Sequence, residues 1–237
     1  ISDVPFDYRN QDSWDVGNYV RALEKFVLNC TTPMSIALQG DWGTGKTSFL
    51  QAMRNDFKQE NPEIKTIYFN TWQYSQFNMS ENLYASFITN IVNELSVYKS
   101  ELKDKAKEIG TQVLSFSSSV VKSVIKEKTS IDIDSITSKE IEKAAVIKDL
   151  KNKFAQIINE VKGDGRVVIF VDDLDRLNPE VAVELLEVMK LFMDVEDCVF
   201  VLAIDYEVVV NGIRKKFGNH MSEEKCRSFF DKIIQLP

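Results

Sequence analysis

A layered α/β fold, with a mainly parallel β-sheet covered by helices on both faces, is the class this sequence predicts. Three observations carry that expectation. Continuous apolar runs bounded by charges or turn residues, such as "RVVIFV" (166–171) and "CVFVLAID" (198–205), have the look of strands buried on both faces. Stretches with apolar side chains at three-and-four spacing alternate with those runs, as helices do between parallel strands. A glycine-rich turn, "GDWGTGKTSFL" (40–50), joins one apolar run to a helical pattern, which is how an α/β unit opens.

The elements follow in order. Residues 15–29 carry Val16, Tyr19, Val20, Leu23, Phe26 and Val27 at the three-and-four spacing of one helical face. "SIALQ" (35–39) is the strand before the glycines. From Thr47 to about Phe57 the period turns helical, with Phe49, Leu50, Met53 and Phe57 on one side. "TIYFN" (66–70) is a second strand and residues 81–95 an amphipathic helix. Asn178 and Pro179 fit the N-cap and first position of a helix running to about Met193. Residues from about 97 to 163 differ in texture, being rich in Ser, Lys, Glu and Ile without a clear strand. They are expected to form a helical insertion, with Val113, Phe116, Val120, Val124 and Ile125 on one face covering the sheet, rather than a membrane-surface or partner helix. The whole, residues 1–237, reads as one domain. Because it starts without Met and stops at "IIQLP", it is expected to be a piece of a longer protein.

Composition narrows the function. Hydrophobic residues make up 44% and charged residues 27%, the usage of a soluble globular chain. A net charge of −7 works against non-specific attraction to nucleic acid or an anionic membrane. Three well-separated cysteines, Cys30, Cys198 and Cys226, point to a reducing compartment, the cytoplasm. With His220 the only histidine, neither a His-built metal site nor a Ser/Cys-His hydrolase fits. No apolar run reaches membrane-spanning length.

Gly40, Asp41, Trp42, Gly43, Thr44, Gly45, Lys46 and Thr47 satisfy the P-loop pattern: Gly, four residues, then Gly-Lys and a hydroxyl residue. Glycines let successive backbone N–H groups point inward and form a nest for anions, at a helix N-terminus whose dipole already favours negative charge. Lys46 would reach the β and γ phosphates, the Thr47 hydroxyl would ligate Mg²⁺, and Gly40 through Ser48 are the residues expected to bind the nucleotide. The motif follows a strand and opens a helix, the context that separates it from a chance match. It would hold a nucleoside triphosphate.

The strand "RVVIFV" ends in Asp172 and Asp173, so two carboxylates emerge at the carboxyl end of a buried strand, where open parallel sheets bind ligands. One would hold the Mg²⁺ and the other polarise the attacking water. Arg176 would either stabilise phosphate charge, in its own or a neighbouring subunit, or pair with a nearby carboxylate. Asp205 would either orient water or cap the next helix, and capping is the preferred reading. A guanine-recognition signature of the Asn/Thr-Lys-x-Asp type is missing, which favours ATP. Trp42, Trp72 and Tyr74 could stack on a base, but packing against the sheet is the preferred expectation.

"GDWGTGKTSFL", "YFNTWQYS" (68–75), "FVDDLDRL" (170–177), "VLAIDYEVV" (202–209) and "FFDKIIQLP" (229–237), in this order, resemble the KAP family of P-loop NTPases. The resemblance implies a P-loop three-layer sandwich with an additional-strand core in the AAA+/STAND neighbourhood, ATP hydrolysis and self-association. Carried over by motif, Lys46 and Thr47 bind phosphate and metal, Asp172 is the metal-side carboxylate and Asp173 the catalytic one. Insertions in this family often hold transmembrane helices, whereas the one here is too polar to span a bilayer. Bacterial relatives with appended domains are linked to phage exclusion, which suggests a defence role by analogy. The leading expectation is an ATPase that switches a conformation or an assembly, with Arg214, Lys215, Lys216 and Arg227 as candidate fingers for a neighbouring subunit. A nucleotide-dependent scaffold without turnover and a P-loop small-molecule kinase are the alternatives.

Overall fold

The computed structural model describes residues 16–76, 83–115, 138–218, 222, 226 and 234–236. Its centre is a five-stranded sheet in the order β2-β3-β4-β1-β5, made of β1 (Met34–Gln39), β2 (Lys65–Asn70), β3 (Val167–Asp172), β4 (Cys198–Ile204) and β5 (Ile234–Leu236). Every pairing is parallel. β4 therefore lies between the strand that leads into the glycine loop and the strand that ends in the paired aspartates. This is the additional-strand arrangement.

The pleat sets which side chains of these apolar runs face which layer. On β3, Val168 and Phe170 join one core with Ile36 and Leu38 of β1 and Val199, Val201 and Ala203 of β4. That face is closed by α1 (Val16–Asn29) and α2 (Lys46–Glu60), through Val20, Leu23, Val27, Leu50, Met53 and Phe57. The intervening residues Val167, Ile169, Val171, Phe200, Leu202 and Ile204 face the other core. Helices bury both faces of the sheet, so β3 and β4 at its centre are apolar at nearly every position.

The second face is covered by α4 (Leu83–Tyr98), α5 (Lys103–Ser115), α6 (Ser138–Lys162), α7 (Pro179–Lys190) and α8 (Tyr206–Phe217); the short α3 (Thr71–Gln76) leads in from β2. Ala106, Ile109 and Val113 of α5 and Phe154, Ile157, Ile158 and Val161 of α6 are buried in that core. The described part of the segment 97–163 is thus helical and packs on the sheet; Phe116, Val120, Val124 and Ile125 lie outside the described residues. Phe69–Phe87 and Phe154–Phe192 meet edge-on, with centroids 5.1 and 5.2 Å apart.

Some local expectations change. Asn178 caps α7, its side chain accepting from the Glu180 N–H at 3.2 Å, but the helix ends at Lys190 and the chain runs on through turns to Val195. On α1 only Val20, Leu23 and Val27 of the apolar face, with Gly17, are buried, whereas Tyr19 is 69% and Phe26 41% exposed. Among the described residues, the helix buries Val20, Leu23 and Val27 in the core shared with α2 and one sheet face, a stripe narrower than its apolar arc. No described helix is long and apolar enough to cross a membrane.

Candidate nucleotide site

Parallel strands bring their carboxyl ends to one edge. Asn70 stands in register with Asp172, and Gln39 with Ile204, so Gly40, Asn70, Asp172 and Asp205 all leave the sheet on the same side. That edge carries the glycine loop and the paired aspartates.

The glycine loop has the backbone its sequence requires. Gly43 and Gly45 have φ of +84° and +89°, the left-handed region that residues with a Cβ rarely adopt. Gly45 is the N-cap of α2 and offers no side-chain acceptor, so no side-chain cap competes with a ligand at the start of the helix. Gly40 meets a different constraint. A Cβ there would lie 2.5 Å from Thr44 Oγ1, the hydroxyl of which donates to the Asp41 carbonyl at 2.8 Å. Thr47 and Ser48 stand half-buried in the first turn of α2. Trp42 is 76% exposed, so the expectation that it packs against the sheet is wrong: it sits at the tip of a loop that bulges away from both cores.

Lys46 is almost fully enclosed. Its ammonium donates to the Gly40 carbonyl at 2.8 Å and the Asp41 carbonyl at 3.0 Å, and it meets Asp175 Oδ2 at 2.8 Å. Asp175 comes from the one-turn 3₁₀ segment Leu174–Arg176 that follows β3. The chain turns abruptly there because Asp173 itself takes φ +60°.

The two aspartates at the end of β3 are held differently. Asp172 Oδ1 accepts the Asp173 N–H at 2.8 Å, Oδ2 accepts the Tyr68 hydroxyl, and Thr71 Oγ1 donates to its carbonyl at 3.0 Å. Asp173 Oδ2 accepts from Asn70 Nδ2 at 2.7 Å, and Oδ1 pairs with Arg176 Nε at 2.7 Å. Arg176 in turn lies over the Trp72 ring, 5.4 Å from its centroid. Burial, then the neighbouring Asp172 charge, push the Asp173 carboxyl above the ordinary aspartate value, against the opposing pull of Asn70 and Arg176. The Tyr68 phenol is pushed up by burial and by the Asp172 charge, so it stays a proton donor.

Of the alternatives left open for Arg176, the structure shows carboxylate pairing. Trp72 is partly exposed and its ring lies under that guanidinium; the side chain of Tyr74 lies outside the described residues. Asp205 caps α8, accepting from the Glu207 and Val208 N–H groups at 2.9 and 3.4 Å. Among the finger candidates, Lys216 is engaged with Glu187 of α7 inside its own subunit. Arg214 is half-buried, Lys215 exposed, and Arg227 lies outside the described residues.

Tyr68, Asn70 and Thr71 had no role assigned from sequence. Their signal was present: polar side chains closing the apolar strand "TIYFN". Only the β2–β3 register turns that signal into contacts, since Asn70 and Asp173 are 103 positions apart.

A parallel sheet with a strand inserted between the glycine-loop strand and the acidic strand, and a left-handed glycine opening the helix beneath the loop, define a P-loop nucleotide-binding domain of the additional-strand type. A family model described as the KAP family P-loop domain matches residues 17–237, and the chain belongs to that family. It is also similar to the phage T7 exclusion protein of Escherichia coli strain K12, at 22% identity over 270 residues, covering all of this chain and 33% of that protein. The chain thus spans about a third of the length of that relative.

Proposed function

We propose that this domain binds ATP with Mg²⁺ and hydrolyses it, and that the nucleotide state drives a conformational or assembly switch in a longer cytoplasmic protein. The observation that carries the reading is the Asp173 carboxylate, aimed by Asn70 and Arg176 at the sheet edge where the glycine loop and Lys46 stand. In this reading the loop N–H groups and Lys46 hold the phosphates, and Asp173 orients the attacking water and takes up its proton. Its raised proton affinity suits that task.

The donor set fits Mg²⁺. Thr47 and Asp172 supply hard oxygen atoms, and each Asp172 oxygen keeps a lone pair beyond the bond it accepts. Among the described residues no group of three or more His, Cys, Asp or Glu could hold a metal by itself, and a nucleotide-bound Mg²⁺ needs none, because phosphates and water complete its shell. Bound there, the ion would neutralise charge on the phosphates.

One observation favours a second reading, a scaffold that holds ATP without turnover: both Asp173 oxygens are engaged by the protein. The similarity to a phage exclusion protein supports a place in anti-phage defence, and the two-thirds of that relative outside the match would supply effector domains. Phosphate release from ATP and GTP with Mg²⁺, across protein concentrations, tests these readings in wild type, Lys46→Ala and Asp173→Asn. Turnover that prefers ATP, rises faster than linearly with protein and vanishes in both variants is expected. Nucleotide binding without turnover, unchanged by Asp173→Asn, would establish the scaffold instead.

A further inference from the structure

The Lys46 ammonium has three N–H donors, and all three are used: two by loop carbonyls and one by Asp175. The pair is buried, with side-chain exposures of 9% for Lys46 and 7% for Asp175. A phosphate oxygen can therefore reach this ammonium only by displacing a partner. The carbonyls belong to the loop that must itself wrap the phosphates, so the exchangeable partner is the carboxylate.

Resting on the nucleotide reading above, we propose that Asp175 is an internal competitor for the triphosphate, the carboxylate that occupies the phosphate-binding lysine until ATP displaces it. Asp175 sets nucleotide affinity from inside the chain. It also links the two halves of the site, because the same 3₁₀ turn carries Arg176, the partner of Asp173. Expelling Asp175 from Lys46 moves the base of that turn. Phosphate arrival is thereby reported to the residue that positions the catalytic carboxylate.

The test is calorimetric binding of the non-hydrolysable analogue AMP-PNP with Mg²⁺, to wild type, Asp175→Asn, Lys46→Ala and the double variant. Removing a buried charge partner leaves the other charge uncompensated until phosphate arrives, so Asp175→Asn is expected to tighten binding by at least about tenfold. It should also lower the thermal midpoint of the unliganded protein, and AMP-PNP should raise that midpoint more than in wild type. In the Lys46→Ala background, Asp175→Asn is expected to change affinity little. Unchanged or weaker binding in Asp175→Asn overturns the proposal. So does an equal gain in both backgrounds, which would reflect removal of one negative charge near the phosphates rather than competition for Lys46. Should Asp175→Asn not fold, Asp175→Ser, also uncharged and smaller, is judged by the same criteria. A wild type that binds no AMP-PNP at millimolar concentration sinks the nucleotide reading itself, whereas wild-type binding without a gain in the variant sinks only the role of Asp175.

Discussion

The same substitution, Gly to Ala, should have opposite effects in two helices of this fold. In α8, a Cβ at Gly212 would lie 2.2 Å from the Pro179 carbonyl oxygen, 2.6 Å from its carbon and 2.8 Å from Val183 Cγ2. Two of those atoms are backbone at the first turn of α7, so they cannot swing aside as a flexible side chain would. Relieving the clash requires the helices to part by about 1 Å, an overpacking cost in the upper part of the usual range, roughly 2–3 kcal/mol, against which alanine recovers about 1 kcal/mol of helix propensity. A net loss of about 1–2 kcal/mol corresponds to a fall of roughly 2–8 °C in Tm for a domain of this size. In α5, by contrast, a Cβ at Gly110 would meet Thr89 Cγ2 at 3.4 Å, an ordinary contact. Gly110→Ala should therefore raise stability by about 0.5–1 kcal/mol. Thermal unfolding followed by circular dichroism, with urea titrations for ΔG, measures both. Equal or greater stability in Gly212→Ala would show that α7 and α8 do not approach this closely, and the reasoning would fail.

Two other predictions concern charges. On the proposed ATPase reading, Arg176→Ala should lower kcat by about tenfold or more and leave KM within a few-fold, because Arg176 pairs with Asp173. A rise in KM larger than the fall in kcat would mean that Arg176 meets phosphate instead. Burial, opposed by Lys216, raises the Glu187 carboxyl above the ordinary glutamate value of 4.5. A raised folded-state value means that the stabilising contribution is full below the unfolded value and lost as pH rises through the folded one. Urea titrations from acidic to neutral pH should show wild type losing stability relative to Glu187→Gln as pH rises, and parallel curves would contradict this.

Residue order alone made much of this molecule legible. Continuous apolar runs announced buried parallel strands, since a strand covered on both faces needs an apolar side chain at every position. The P-loop spacing announced a phosphate site, because the nest is built from local backbone and needs no distant partner. Asn178 and Asp205 were readable as caps for the same reason: each bonds N–H groups two or three residues ahead. Trp42, Tyr19 and Phe26 were not. Whether an aromatic residue is buried depends on what the rest of the chain lays over it, and the described residues leave these three largely or partly exposed.

What only the tertiary structure decided lies between strands. The 2-3-4-1-5 order placed β4 between the glycine loop's strand and the acidic strand, and the β2–β3 register laid Asn70 beside Asp173 and Tyr68 beside Asp172. It also brought Asp175 onto Lys46, 129 positions away by number yet at 2.8 Å. Sequence by itself determined the local grammar of loop, strand and cap, because those bonds close within a few residues. The pairing of charges across the sheet edge depends on how strands far apart in the chain are ordered and aligned, and that alignment is settled only when both faces of the sheet are packed.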